Sequence, residues 1–317
     1  MTTLDPPLPK GLDPSLLPVL NYIAGLDLGP RHIDGPEPAR RALDNGAVLD
    51  APVPDGVSIL DDAFVAGDRS IPLRVYTPPG TPRGTVLFFH GGGFVLGSLE
   101  SHHRLCGRLA AQAGSTVVSV AYRLAPEHRF PAAVEDALAS LEWLVPRLDS
   151  LGGDGSGFAV AGDSAGGNLA AVLAQQATGQ ARDRLRLQVL MYPVTDMMAT
   201  PELMPSLREN ATGLFLTLED MVWFNEMYRP AADSPLASPA RAATLRGLAP
   251  ALIITAEFDP LRDDGERYAA LLRDAGVSVT MHRYEGQIHG FVSMAALVAA
   301  AHTAMEEIAA AVRQAVS

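Results

Sequence analysis

The chain has 317 residues, of which 48% are hydrophobic and 19% charged, which is enough apolar content to bury one large core. Its 36 acidic and 24 basic residues give a formal net charge of −12, which opposes binding to nucleic acid or to an anionic membrane surface. The single cysteine, Cys106, excludes an intramolecular disulfide, and no stretch reaches the roughly 18 uninterrupted apolar residues of a membrane span. The N-terminus lacks the basic and apolar regions of a secretory signal, so we expect a cytoplasmic protein.

The first 55 residues are rich in proline and glycine, and only the stretches 16–26 and 37–49 have helical patterns there. From Val57 onward, short apolar runs alternate with helical patterns. The predicted strands are 57–65, 71–77, 85–90, 116–122, 158–162, 187–193, 251–257 and 277–284. The predicted helices are 102–113, 132–148, 164–177, 265–275 and 294–315.

This alternation, with strands that are apolar throughout, predicts a mostly parallel sheet of eight strands covered by helices on both faces. The first two strands are joined by a short link, so they must pair antiparallel. Residues 197–235 interrupt the alternation because they hold no strand pattern, only an aromatic helical pattern at 218–228. This segment is a candidate lid.

A strand-to-helix turn carries the first candidate catalytic residue. The predicted strand at 158–162 runs into Gly162-Asp163-Ser164-Ala165-Gly166 and then into a predicted helix, which is the context that a G-x-S-x-G nucleophile elbow requires. Ser164 is therefore the candidate nucleophile, and the N–H of Ala165 at the helix start is a candidate oxyanion donor. The alternative is a helix start capped by the aspartate or the serine.

Three adjacent glycines follow the third predicted strand, in His90-Gly91-Gly92-Gly93-Phe94. Because glycine loses more backbone entropy on folding than any other residue, a run of glycines indicates a need for close backbone approach. Their N–H groups can point into a cleft and bind an oxyanion. The alternatives are a flexible loop or a phosphate-binding loop, but no helix with a lysine and no GxGxxG spacing follows.

Several motifs stand in a definite order along the chain. They are HGGGF at 90–94, YRLAPEHRFPAAVED at 122–136, GDSAGGN at 162–168, YP at 192–193, DPLRD at 259–263 and HGF at 289–291. From about Val57 to its end the chain resembles the hormone-sensitive lipase-like esterases, the bacterial family IV of the α/β-hydrolase fold, and GDSAG rather than GTSAG indicates one subgroup. The resemblance implies a helical cap, residues 1–55 and 197–235, on a catalytic α/β-hydrolase domain, residues 56–196 and 236–317. It also implies an oxyanion hole made by Gly92, by Gly91 or Gly93, and by Ala165.

Position along the chain separates one histidine from the others. His289 alone follows the last predicted strand, in a loop from which an imidazole can reach the top of the sheet and accept a proton near neutral pH. The order serine, acid, histidine of this fold requires a carboxylate between Ser164 and His289 at a strand end. Asp259 follows the strand at 251–257 and is the candidate acid, with Glu257 as the alternative.

Together these residues predict a serine carboxylesterase that hydrolyses short- to medium-chain acyl esters through an acyl-enzyme, with a small ester as substrate and no metal or other cofactor. The pocket candidates are apolar side chains of the glycine loop and the lid: Phe94, Phe215, Leu216, Trp223, Phe224 and Met227. Two alternatives stay open. One is a ligand-binding protein like the plant gibberellin receptors, which resemble this family but lack the histidine. The other is the same triad acting on an amide, carbamate or lactone. The sequence is also compatible with a homodimer.

Overall fold

Eight strands form one sheet in the order β1-β2-β4-β3-β5-β6-β7-β8. The computed structural model describes residues 8–25, 35–153, 157–212 and 214–316. The strands are β1 Ser58–Ala66, β2 Arg69–Thr77, β3 Thr85–Phe89, β4 Thr116–Val120, β5 Phe158–Asp163, β6 Leu185–Met191, β7 Ala251–Phe258 and β8 Val279–Ile288. The strand β2 pairs antiparallel with β1 and β4, and all other neighbours are parallel. The predicted α/β-hydrolase sheet is confirmed.

The central strands are buried along their whole length because helices cover both faces of the sheet. Every residue of β3, β4 and β5 is buried. Successive side chains of a strand point to opposite faces, so Leu87 and Phe89 join one hydrophobic cluster while Val86 and Phe88 join the other. Continuous rather than alternating apolar sequence follows directly from this double coverage.

Helices flank the sheet and extend into both predicted cap segments. They are α1 Leu17–Ala24, α2 Glu37–Gly46, α3 His103–Ala113, α4 Ala132–Leu144, α5 Leu148–Gly152, α6 Ala165–Gln176, α7 Gly179–Arg184, α8 Ser206–Glu209, α9 Leu218–Tyr228, α10 Arg262–Asp274 and α11 Ala299–Val316. The stretch predicted as helix at 16–26 ends with a residue that lies outside the described part of the chain. None of the helices that could be described is long and apolar enough to cross a bilayer.

The last helix begins later than predicted, at Ala299 instead of Met294. Two tight turns precede it, in which Met294 N–H donates to Phe291 O and Val298 N–H donates to Met294 O. Ala296 N–H donates to Leu49 O, in the N-terminal segment, at 3.0 Å. An alanine-rich pattern alone therefore misplaces the helix start.

The parallel strands bring distant parts of the sequence to one edge of the sheet. Phe89 at the end of β3 pairs with Gly162 near the end of β5, and Phe258 at the end of β7 pairs with Ile288 at the end of β8. The residues that follow these strand ends therefore meet above the carboxyl edge, which is where open α/β sheets place their sites.

Both predicted cap segments lie against the loop that follows β3. From α2, Arg40 Nε donates to Val95 O at 2.9 Å, and Ser98 Oγ donates to Asp44 Oδ1 at 2.6 Å. From α9, the Tyr228 ring stacks on Phe94 with ring centroids 4.1 Å apart. The helix α2 of the N-terminal segment and the lid helix α9 thus contact the same loop. The division of the chain into cap and catalytic domain stays a prediction.

Candidate active site

Ser164 stands on the sharp turn between β5 and α6, with φ 54° and ψ −117°. This backbone conformation is strained for a residue with a side chain, and such strain is characteristic of a nucleophile elbow. The turn is packed so closely that a Cβ on Gly166 would collide with Phe89 O and one on Gly162 would collide with Gly166 backbone. The small residues of the motif are therefore required by contact between backbones.

His289 and Asp259 meet beside this turn. Asp259 directly follows β7 and His289 directly follows β8, and His289 Nδ1 lies 2.7 Å from Asp259 Oδ2. Asp259 is fully buried, and its other oxygen, Oδ1, accepts from Leu261 N–H at 2.8 Å. Because a carboxylate can only accept, Nδ1 of the imidazole carries the proton and Nε2 is left as an acceptor. This is the tautomer that a general base needs.

A buried aromatic side chain also borders the imidazole. The Tyr192 ring lies edge-on to His289, with ring centroids 4.8 Å apart. Glu257, the alternative acid, is engaged elsewhere, because its Oε2 accepts from Gly286 N–H at 2.7 Å. The geometry therefore pairs the imidazole with the aspartate after β7.

The glycine loop presents its three N–H groups differently. Gly91 N–H donates to Asp163 Oδ1 at 2.8 Å, so this donor is occupied. Gly92 and Gly93 have φ of 112° and 61°, a region that glycine enters without steric cost. Within the described ranges, no acceptor is paired with the N–H of either residue. Ala165 is the first residue of α6, so its N–H is one of the donors that a helix leaves unpaired at its N-terminus.

His90, at the head of the glycine loop, braces the loop from below. Its Nδ1 donates to Gly91 O at 2.8 Å, and its ring stacks on Tyr122 with centroids 4.3 Å apart. The Tyr122 hydroxyl donates to His90 O at 2.7 Å. Burial and the neighbouring His102 lower the pKa of His90 to about 4, so this imidazole is neutral near pH 7. Its role is to hold the loop.

Two cavities are lined by Ser164. The first, of about 170 Å³, is also bordered by His289 and the three glycines, by α1 and α2, and by residues 215–224 of the lid. The second, of about 180 Å³, is bordered by Ser164, Gly93 and the lid helix, without His289. Leu216 and Phe224, like Ser164 and Gly93, line both cavities.

The predicted pocket side chains are distributed unevenly over these cavities. Phe215 lines the first cavity and Phe94 the second, whereas Trp223 and Met227 line neither. Other residues of the N-terminal segment and the lid helix line the cavities but were not predicted from the sequence. They are Tyr22, Ile23, Ala39, Ala42, Leu43, Leu218, Met221 and Val222. The apolar positions of α2 were a usable signal, since a helix of otherwise charged residues needs an apolar surface to pack on.

Among residues 8–25, 35–153, 157–212 and 214–316, no group of three or more His, Cys, Asp or Glu side chains is arranged to hold a metal ion. The strand-turn-helix serine, the imidazole paired with a buried carboxylate and the glycine loop define the class of protein. It is a hydrolase of the α/β-hydrolase fold.

Comparison with known proteins identifies the family. The alpha/beta hydrolase fold family model matches residues 86–293. The chain is 40% identical to Esterase LipI of Mycobacterium tuberculosis over 302 residues, covering 92% of this chain and 91% of the relative. It is 37% identical to the Ethyl acetate hydrolase of Pseudomonas putida, covering 96% and 99% of the two chains. The structure of a hyperthermophilic esterase from the archaeon Pyrobaculum calidifontis superimposes with a TM-score of 0.86 at 41% identity, covering 96% and 98%.

The chain therefore belongs to the hormone-sensitive lipase-like family of α/β hydrolases, and it is a carboxylesterase, an enzyme that hydrolyses ester bonds. This confirms the predicted family and enzyme class. It excludes the ligand-binding alternative.

Proposed function

We propose that Ser164, His289 and Asp259 are the catalytic triad of this carboxylesterase. We also assign the chain to the GDSAG subgroup of the family, because residues 162–166 read GDSAG. The observation that carries the proposal is the 2.7 Å contact between His289 Nδ1 and the buried Asp259, beside a cavity that His289 shares with Ser164. Nε2 of His289 takes the Ser164 proton as Oγ attacks the ester carbonyl carbon. The resulting tetrahedral intermediate collapses when the same proton passes to the alcohol oxygen, which leaves.

Water then completes the cycle. His289 removes a proton from a water molecule, the hydroxide attacks the acyl-enzyme, and the proton returns to Ser164 Oγ as the acid is released. Asp259 stays ionised throughout and stabilises the imidazolium that forms in each half-reaction. Every proton in this cycle moves between the ester, water and the side chains of Ser164 and His289.

The oxyanion hole consists of the N–H groups of Gly92, Gly93 and Ala165. Gly91 is left out because its N–H already donates to Asp163. Donors that are held in place before the reaction stabilise the developing charge without reorganisation, and removal of one such donor costs about 10²- to 10³-fold in kcat.

One cavity binds the alcohol part of the ester and the other binds the acyl part. The leaving oxygen must come within hydrogen-bond distance of His289, which lines the first cavity and not the second. The alcohol side therefore occupies the first cavity and the acyl chain the second. Both cavities are small and largely apolar, which supports short- to medium-chain acyl esters as the substrates. A relative named for ethyl acetate is in keeping with this size.

The direct test replaces the nucleophile. Ser164→Ala should lose on the order of 10³-fold or more in kcat while the fold is retained. Ser140→Ala is the control, since Ser140 is also buried but lines neither cavity, and it should keep wild-type turnover. A fluorophosphonate should label Ser164 alone, and ester substrate should slow the labelling. Near wild-type turnover of Ser164→Ala would assign the nucleophile to another residue.

A further inference from the structure

A second histidine and aspartate line the first cavity, outside the proposed triad. Asp163 precedes the nucleophile in the chain, and His102 Nε2 lies 3.1 Å from Asp163 Oδ1. Both side chains border the same cavity as Ser164, and both are buried, with exposed fractions of 6% and 5%. A buried charged pair is costly unless its hydrogen bonds are satisfied, so its presence beside the nucleophile needs a reason.

Asp163 is bonded to the glycine loop as well as to His102. Its Oδ1 accepts from Gly91 N–H, across 72 positions of sequence, at 2.8 Å. The contact is so close that a Cβ on Gly91 would collide with Asp163 Oδ2. The carboxylate therefore leaves room only for glycine at position 91. Through its hydrogen bond to the N–H, it also determines where the Gly91 peptide lies.

Both ring nitrogens of His102 have polar partners. Nε2 donates to Asp163 Oδ1, since a carboxylate only accepts, and Nδ1 lies 2.8 Å from the Ser101 hydroxyl. The Ser101 hydroxyl also lies 3.0 Å from Ser98 O. These contacts hold the imidazole ring against the carboxylate.

The charge of Asp163 agrees with this arrangement. Burial by itself raises the pKa of Asp163, but its interactions with three histidines together outweigh burial, so this pKa lies below its usual range. The interactions with His102 are the largest of these, and those with His90 and His289 are smaller. Asp163 is thus an anion held within the wall of the cavity.

We propose that Asp163, supported by His102, positions the oxyanion loop: it binds the N–H of Gly91 and thereby directs the N–H groups of Gly92 and Gly93 toward the reacting carbonyl. This inference rests on the proposed function, because it assumes that Ser164 attacks an ester there. Asp163 touches no reacting atom and acts through the loop. His102 acts in turn through Asp163, since its Nε2 donates to Oδ1 and holds the carboxylate in the orientation that binds Gly91 N–H.

The experiment measures kcat per active site, counted by fluorophosphonate titration, together with KM and the affinity for an alkyl trifluoromethyl ketone. This ketone forms a tetrahedral adduct with the nucleophile, whose oxygen requires the oxyanion donors. Asp163→Ala should lower kcat about 10²-fold and weaken ketone binding in parallel, with KM little changed. Asp163→Asn keeps an oxygen that can accept from Gly91 N–H, so its loss should be smaller, about 10-fold.

A double-mutant cycle tests the role of His102. If His102 acts only through Asp163, the pair His102→Phe and Asp163→Asn should be no slower than Asp163→Asn alone, within about twofold. Asp136→Asn is the matched control, since Asp136 is a buried carboxylate paired with Arg123 that lines neither cavity. It should lower the unfolding temperature but leave kcat per titrated site unchanged.

Wild-type kcat and ketone affinity in Asp163→Ala would overturn the positioning role. If the alanine variant fails to fold, the Asn variant decides: wild-type kcat and ketone affinity in Asp163→Asn, together with an additive effect of His102→Phe, would overturn the role as well. A loss of stability without a change in kcat per titrated site would reduce Asp163 to a structural residue. Absence of fluorophosphonate labelling in the wild-type protein would instead overturn the proposed function itself.

Discussion

The lid helix contains a matched pair of methionines that tests the assignment of the acyl chain to the second cavity. Met221 and Met227 both lie on α9 and are both half-buried, but only Met221 lines the second cavity. Met221→Ala removes three side-chain atoms from the cavity wall, whereas Met227→Ala removes the same atoms elsewhere. Both variants lose similar packing, so their comparison separates substrate fit from stability.

The size of the effect follows from the hydrophobic contribution of each methylene. Burial of one methylene contributes about 0.8 kcal/mol, or about fourfold in kcat/KM, until the cavity is filled. Beyond that length, overpacking costs about 1–3 kcal/mol. In the wild-type enzyme we therefore expect kcat/KM to peak between acetate and octanoate and to fall by dodecanoate. Met221→Ala makes room for about two to three more methylenes, so the optimum should move to longer chains by that number.

The assay is a series of p-nitrophenyl esters in which only the acyl chain varies, repeated with alkyl acetates in which only the alcohol varies. Met221→Ala should change the first series and leave the second unchanged, and Met227→Ala should leave both profiles as in the wild type. A shift confined to the alkyl acetates would show that the two sides of the ester are exchanged. A wild-type optimum at palmitate would refute the size argument altogether. Trp223→Ala, which leaves both cavity linings intact, should alter stability alone.

Further outcomes concern the buried charges. Asp259→Asn should lower kcat about 10⁴-fold because the imidazole loses its orientation, while Glu257→Gln should stay near the wild type; the reverse order in steady-state kinetics would exchange their roles. Burial raises the pKa of Asp264 to about 7, so between about pH 4 and 7 the folded state holds a proton that the unfolded state has released. The free energy of unfolding due to this group therefore falls as pH rises through that window, by at most about 1.4 kcal/mol per unit, and Asp264→Asn should remove that slope in urea unfolding at pH 5 and 7. Arg108→Ala leaves the buried Asp50 without its ion-pair partner and should cost about 3–5 kcal/mol in the same assay; a loss below 1 kcal/mol would contradict the pairing.

The candidate nucleophile could be located without a structure because its signal is local. A strand, a tight turn of small residues and a helix follow one another within about a dozen positions around Ser164, and each has its own pattern. The candidate acid and base could be located because Asp259 and His289 each follow a predicted strand, and parallel strands carry their ends to one edge. The contact of 2.7 Å between them has no sequence signal of its own.

The sequence by itself determined the strand order along the chain, the double-sided burial of the sheet and the residues that follow each strand, since these depend on local periodicity. Only the tertiary structure decided which glycine N–H is occupied and which helices line the cavities. Gly91 and Asp163 are 72 positions apart, so their hydrogen bond leaves no sequence pattern. The HGGG motif by itself is equally consistent with Gly91 or Gly93 as an oxyanion donor. Likewise, Trp223 and Phe224 are adjacent on α9, but they point to different sides of the helix, and only the surface that α9 packs against determines which ring lines the cavities.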